Sequence, residues 1–479
     1  MADIQKRDSH TASILFALLV AELSSAFEIS MIFAGMATFI REFGNPERVF
    51  WLVTAFLLVS AGAAAICGRL GDVYGRSRVM VVVLGIAVLG SLISAFASTL
   101  EGIILGRAIQ GASAAVLPLC LGLVRERLPQ AKVPFGVAML VATASVGGGI
   151  GIVLGGLIID HLTWHWMFYC SAAVAAIGAV LVLAMVPPSA RKGWDGRPDV
   201  LGGILFVPAI CAVLLAISLG SRAGWTHSSV LVTLALGLAL LAVWVGYELR
   251  HPNPLINVRL LGDRRIAVAN AAMALTALGA MQIAQVLALL FQQPRWTMVG
   301  LGVSATFAGL LKIPSNLSGL IGAPLSGAIA ARRSSRDALL AGSAVLAAGW
   351  IALLLSHGSV WIVATLTVIT GIGVTMVYTA VPNLVIEGAP LNRTSEATGL
   401  SMVTRGAFQA IGAQLVAVSL ASSTISDPSH GPGSYPTQAA FTLTFAWITV
   451  SCIVCFLVAL GVPRRISAAS ARTGAAQSA

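Results

Sequence analysis

Apolar runs, each closed off by a short cluster of charged residues, glycine or proline, repeat along the whole chain. Counting runs of about 17 to 28 residues as long enough to cross hydrocarbon places spans at residues 12–40, 50–67, 79–98, 102–124, 134–160, 166–187, 200–220, 228–249, 266–291, 302–330, 338–356, 360–381, 396–420 and 439–461. Fourteen membrane-spanning helices are therefore expected, the longest with length to spare for tilt. The first run follows a polar N-terminus and has no small-residue cleavage pattern after it, so it reads as a retained span.

The polar residues between the runs orient the bundle. Loops on the side of the N-terminus carry Lys6, Arg7, Arg69, Arg76, Arg78, Arg125, Arg127, Lys132, Arg191, Lys192, Arg197, Arg250, Arg259, Arg264, Arg265 and a further series up to Arg472. The opposite loops carry only Arg41, Arg48, Arg222 and Arg295. By the positive-inside rule both termini are expected in the cytoplasm, with the chain multi-pass in the cytoplasmic (inner) membrane. The same alternation holds through all fourteen crossings.

Composition changes this picture little. With 57% hydrophobic and 10% charged residues and a mean hydropathy of +0.92, a soluble globular fold is excluded. The formal charge of +11 is spread singly through short loops and forms no stripe, which argues against a nucleic-acid partner. Cys67, Cys120, Cys170, Cys211, Cys452 and Cys455 all lie in apolar runs and read as small apolar filler, with no metal site, disulfide or cofactor indicated. No Gly-Lys-Ser/Thr phosphate loop is present, so ATP is not the expected energy source.

One polar connection stands out. Gly68 to Arg78, between spans 2 and 3, packs glycines, Asp72 and three arginines into a tight aqueous turn. A related segment, Ala323 to Arg333, joins spans 10 and 11 with glycine and arginines, but Ala331 falls where Asp72 stands in the first. Taking spans 1 to 6 and 9 to 14 as two repeats leaves spans 7 and 8 as an inserted hairpin. The expected fold is all-α and polytopic, with two six-helix bundles plus two extra helices, the architecture of rocking-bundle transporters. Expected divisions are residues 1–187 for the first bundle, 188–265 for the insertion, 266–463 for the second bundle and 464–479 for a cytoplasmic tail.

At these residues the chain resembles the major facilitator superfamily, in particular its fourteen-span drug:proton antiporter branch. Gly68, Asp72, Gly75 and Arg76 are similar to that family's signature between spans 2 and 3, and Arg107-Ala108-Ile109-Gln110-Gly111 to its second motif. Gly147, Gly151, Gly155 and Gly156 resemble the antiporter motif of span 5, although Ile152 stands at its usual proline, and Thr404 to Ala407 resembles span 13 of the branch. Glu28 takes the place of a usual aspartate in span 1. The resemblance implies a proton-coupled transporter of a small organic compound working by alternating access, most simply a multidrug or toxic-metabolite efflux antiporter. A proton symporter or facilitator for an organic anion is the alternative, and a non-transporting membrane sensor a lower one. It also implies protons, a small-molecule substrate and the lipid bilayer as partners, and a monomer.

Ionisable residues at membrane depth cost roughly 2.5 to 3.5 kcal/mol on insertion scales, so each calls for a function. Five lie within the spans: Glu22, Glu28, Arg107, Lys312 and Arg405. Glu22, Ser25 and Glu28 recur every three residues on one stripe of span 1. A carboxyl withdrawn from water can load and release a proton near neutral pH, which makes Glu28, then Glu22, the candidates for proton coupling, with a lasting ion pair to an intramembrane arginine as the structural alternative. Arg107 would bias a nearby acid or fasten helices. Lys312 and Asn316, with Gln282 and Gln285 of span 9 and Arg405 and Gln409 of span 13, are candidates for a hydrogen-bonding substrate-cavity wall; Lys312 paired with Glu22 or Glu28 is the competing reading. Gly68, Asp72, Gly75, Arg76 and Glu126 are candidates for a cytoplasmic gate, with Asp72 and Arg76 as its latch. The glycines of span 5, recurring every fourth residue, permit close helix packing. A membrane-embedded enzyme would need a nucleophile and base at depth; the histidines fall in loops or tails, so no catalytic set is expected.

Overall fold

The computed structural model describes residues 2–44, 46–129, 132–188, 200–251, 254, 257–389, 394–426 and 434–463. Its helices follow one another as fourteen rods at the positions of the apolar runs. Spans 1 to 8 are Ala2–Phe43, Pro46–Tyr74, Arg76–Phe96, Leu100–Arg127, Val133–His161, His165–Met185, Val200–Ala223 and Ser228–Arg250. Spans 9 to 14 are Arg264–Gln292, then Ala305–Leu317 continued by Gly319–Arg332, then Ser335–Leu355, Val360–Gly388, Thr394–Ala421 and Gln438–Leu460. Among the described residues, nine helical segments are long and apolar enough to cross a membrane by length and composition. The near end denotes the side where span 1 begins, and the far end the side where it finishes.

Three rods are broken, and the breaks lie inside apolar stretches where periodicity gives no warning. Span 4 tightens into a 3-10 turn at Gly111–Ala115, where Gly111 backs onto the Phe56 carbonyl of span 2. Span 9 does the same at Ala280–Gln282. Span 10 divides at Ser318, just after Pro314, whose missing N–H and ring clash weaken the helix at that point. Span 5 carries no proline after its first turn and runs unbroken for 29 residues.

Span 1 sits behind span 5 and touches spans 6, 9 and 10; spans 2, 3, 4 and 6 complete its half. In the other half, span 9 packs on spans 12, 13 and 14, while span 11 packs on spans 12 and 14. Buried apolar side chains fill both halves, including Phe39, Phe50, Phe56, Phe168, Trp350, Phe441 and Phe445. The inserted span 7 lies along spans 2 and 13. There the Ser218 hydroxyl donates to Glu47 and accepts from the Trp51 indole at 3.5 Å. A two-stranded ribbon, β1 (Thr424–Ser426) with β2 (Ser434–Pro436), is antiparallel, with Ile425 opposite Tyr435. It is pinned to span 9 where the Gln293 amide donates to the Pro436 carbonyl at 2.8 Å.

The halves meet unevenly. The far part of span 9 lies on span 1 and the far part of span 10 on span 5, whereas the near parts of both turn to helices of their own half. Along these two seams the halves are closed at the far end and diverge toward the near end.

Candidate functional site

Span 1 positions both of its carboxyls inside the first half. Glu28 is completely buried and Glu22 nearly so. The Ser91 hydroxyl of span 3 has two acceptors for its one proton, the Ala87 carbonyl at 2.8 Å and Glu28 Oε1 at 3.4 Å, and Glu28 Oε2 has no hydrogen-bond partner. One oxygen of Glu22 is likewise without a partner. Ser25, between the two acids on the same stripe, donates to the Ser113 carbonyl at 2.9 Å, where span 4 tightens into its 3-10 turn. The break thus turns the backbone and hydroxyl of Ser113 toward span 1.

Arg107 is held from several sides. Its Nε donates to the Leu52 carbonyl at 3.1 Å, and its Nη1 donates to the Glu28 carbonyl at 3.1 Å and to Gln110 Oε1 at 3.0 Å. The guanidinium carbon lies 4.4 Å from the centre of the Phe56 ring, a cation–π distance. Gln110 in turn donates to the Ser91 hydroxyl at 2.6 Å. The arginine therefore reaches the Glu28 carboxyl through a relay, Arg107 to Gln110 to Ser91 to Glu28, and bonds directly to the backbone of spans 1 and 2. No ion pair within 4.0 Å joins Arg107, or Lys312, to either acid.

The proposed cavity wall is brought together only in part. Gln282 and Gln285 are 2% and 1% exposed. The Gln282 amide donates to the Ala277 and Gln409 carbonyls at 2.8 and 3.0 Å, and that of Gln285 to the Ala413 carbonyl at 3.1 Å. They fasten span 9 to span 13, because the break at Ala280–Gln282 turns them into the second half. Gln409 takes part through its carbonyl. Lys312 is buried. Asn316, one turn on, lies beside Gly149 of span 5, its Nδ2 buried without a partner, in an apolar groove of about 250 Å³ between spans 5 and 10. Arg405 is half-buried; its Nη1 donates to the Tyr378 hydroxyl of span 12 at 3.0 Å, its Cζ lies 5.3 Å from that ring's centre, and its Nε is buried without an acceptor.

At the near end, Gly75 ends span 2 with a φ of 96°, a left-handed conformation that a side chain would strain. Arg76 follows and donates to the Gly122 carbonyl of span 4 at 2.9 Å. Gly68 lies inside the helix of span 2. Glu126 is exposed and pairs with Arg127 at 3.3 Å. The side chain of Asp72 lies outside the described residues.

The span 5 glycines face two ways. Gly147, Gly151 and Gly155 lie against Leu23 and Ala26, Phe27 and Ser30, and Met31 and Ala34 of span 1. Gly156 faces span 10, where a Cβ would come within 2.6 Å of the Ala305 carbonyl oxygen and the Thr306 nitrogen; reciprocally, Gly309 meets the backbone of Ile152 and Val153. One turn beyond Gly156, Asp160 accepts hydrogen bonds from Ala305 N (3.2 Å), Thr306 N (2.9 Å) and the Thr306 hydroxyl (2.5 Å). The clasp joins the two halves at the far end, a carboxylate on the free N–H groups that begin a helix.

Sequence reasoning passed over Ser91, Ser113, Tyr378 and Asp160. The Asp160 signal was present: an acid in the last turn of a helix opposes that helix's own dipole, so it belongs to something else. So was that of Tyr378, a phenol inside an apolar run that must find a polar partner.

Residues 18–413 match the family described as Major Facilitator Superfamily. Multidrug resistance protein Stp of Mycobacterium tuberculosis is 28% identical over 371 residues, 77% of this chain and 68% of that protein. Cephamycin export protein CmcT of Amycolatopsis lactamdurans is 29% identical over 465 residues, 92% of this chain and 93% of that one. In fold, the chain is similar to a crystal structure of the peptide transporter POT, with a TM-score of 0.67 at 17% identity, covering 95% of this chain and 97% of that one. The match over most of the chain, on a helical bundle of this architecture, means that the protein belongs to the major facilitator superfamily.

Proposed function

We propose that this protein is a proton-coupled exporter of small organic compounds, working by alternating access across the cytoplasmic membrane, with its near end and both termini in the cytoplasm. The observation that carries the reading is the Glu28 site. A carboxyl sealed from water, with one oxygen unpartnered and no cation in direct contact, is least costly as the neutral acid. The Ser91–Gln110–Arg107 chain of polar groups leads from that carboxyl to the buried guanidinium of span 4. Proton binding and release at this carboxyl thereby depend on whether water reaches Glu28. The uneven seam supports the second element of the proposal: a far end clasped by Asp160 and a near end diverging along spans 9 and 10 describe an inward-facing state. The names of the relatives in Mycobacterium and Amycolatopsis support export of a drug or metabolite.

The test is transport of a labelled drug panel in proteoliposomes under imposed pH gradients of both signs. Antiport predicts substrate movement opposite to the proton gradient, and Glu28→Gln is expected to abolish the dependence on the gradient while leaving slow exchange. An unchanged gradient dependence in that variant sinks the assignment. Movement with the gradient would establish the second reading, symport of an organic anion, which the absence, among the described residues, of an acid within 4.0 Å of Lys312 and Arg405 favours.

A further inference from the structure

We infer that Arg405 and Tyr378 form the recognition site for the carboxylate of an aromatic or amphipathic organic acid. This rests on the reading of the space between the halves as a transport cavity, and it names the class of compound that the cavity takes.

Three features of the second half lead there. Arg405 is half-buried well inside span 13, eleven residues from the helix start at Thr394, and its Nε is withdrawn from the surface. A charge at that depth is tolerated where it faces a water-filled cavity and not acyl chains. Its partners are incomplete in a specific way: Nη1 is engaged by the Tyr378 hydroxyl, Nε is buried without an acceptor, and no acid among the described residues lies within 4.0 Å. The Nε–Nη2 edge is thus a fork of two parallel N–H donors held at a fixed angle by the Tyr378 bond. A planar, two-oxygen anion completes that fork with two charge-assisted hydrogen bonds, a geometry that a single neutral acceptor does not match. Beside it lie an aromatic face and a polarisable one: the Tyr378 ring, 5.3 Å from Cζ, and the Met402 sulfur, 4.0 Å from the Tyr378 hydroxyl. They suit the flat or apolar body that carries the carboxylate.

The charge balance of the two halves points the same way. The two acids deep in span 1, Glu22 and Glu28, belong to the first half and are both buried. The second half contributes Lys312 and Arg405. An anion entering between them meets positive charge on one wall, and an organic cation is repelled by that wall without a carboxylate on its side to compensate.

The experiment uses three matched probes on the purified full-length protein in nanodiscs: 1-naphthoate, its neutral primary amide 1-naphthamide, and the cation 1-naphthylmethylammonium. Binding is read by isothermal titration. Naphthoate is expected to bind at least about tenfold more tightly than either of the others. Arg405→Gln is expected to weaken naphthoate about tenfold or more and leave the amide unchanged, and Arg405→Lys to recover only part of the loss, since an ammonium cannot offer the fork. Tyr378→Phe, which keeps the ring and frees the guanidinium to rotate, is expected to weaken naphthoate by a smaller factor. Equal binding of the three probes, preference for the cation, or an Arg405→Gln variant that weakens all three alike would overturn the proposal. Gradient-driven transport of the drug panel by the parent protein is scored separately, so a failed anion preference is distinguishable from a protein that is no transporter.

Discussion

Arg107 and Arg405 lie well inside spans 4 and 13, one in each half, and they are held in different ways. Arg107 is engaged on most sides: two backbone carbonyls and one amide oxygen accept three of its five N–H groups, and a phenyl face lies against it. Arg405 has one side-chain hydrogen bond and a buried Nε that lacks an acceptor. A buried charge that the protein satisfies by itself fixes the shape of a site, whereas a charge left partly unsatisfied at a cavity wall is available to something that comes and goes. The same contrast separates Glu28 from Lys312: Glu28 is linked to its neighbours through serine and glutamine, and among the described residues no acid lies within 4.0 Å of Lys312.

The contrast breaks if the two arginines respond alike to the same substitution. Arg107→Leu strips donors from two carbonyls and from Gln110 in a sealed interior and is expected to cost about 3 kcal/mol or more of stability. Arg405→Leu removes one side-chain hydrogen bond from a half-exposed site and is expected to cost under about 1.5 kcal/mol. Unfolding of both variants in detergent, followed by tryptophan fluorescence, measures the difference; equal losses would make Arg405 a second structural rivet.

A smaller effect is expected at the seam. Asp160→Asn leaves one oxygen to accept from span 10 and turns an amide toward N–H groups that cannot accept, so the far-end clasp loses part of its strength. A shift of about tenfold toward the outward-facing population follows from the loss of about one such hydrogen bond. Distances between spin labels at Thr163 and Ser356, both exposed at the far end in opposite halves, report it as growth of a longer-distance population. An unchanged distribution means that the clasp does not set the balance.

The smallest effect concerns the two acids of span 1. Glu22→Gln is expected to slow transport partially while preserving its dependence on the pH gradient, in contrast to Glu28→Gln. Loss of gradient dependence in the Glu22 variant alone would exchange the roles of the two carboxyls.

Much of this was legible in the chain, because hydrophobic length and loop charge are what a membrane sorts by. The helices fall where the apolar runs are, and the acids and arginines within them were identifiable as costly residues. What each residue faces was not legible. Gln282 and Gln285 sit in a polar spacing that suits a cavity wall, but a 3-10 turn rotates them into the packing against span 13, and tertiary contacts set that turn. Arg107 was expected near an acid, yet whether a guanidinium meets a carboxyl or the carbonyl behind it depends on a fraction of a helical turn. Asp160 ended an apolar run and so read as a boundary, although the boundary is where the halves join.

The contact between Gly156 and Ala305 has a consequence for energy as well as for shape. Where the halves touch there, main chain meets main chain, with no long side chain to be ordered on closing or released on opening. Such a joint carries little rotamer entropy in either direction, so closing or opening the far end at this contact freezes and frees no long side chain, and the polar bonds that Asp160 accepts from Ala305 and Thr306 are what must be broken there.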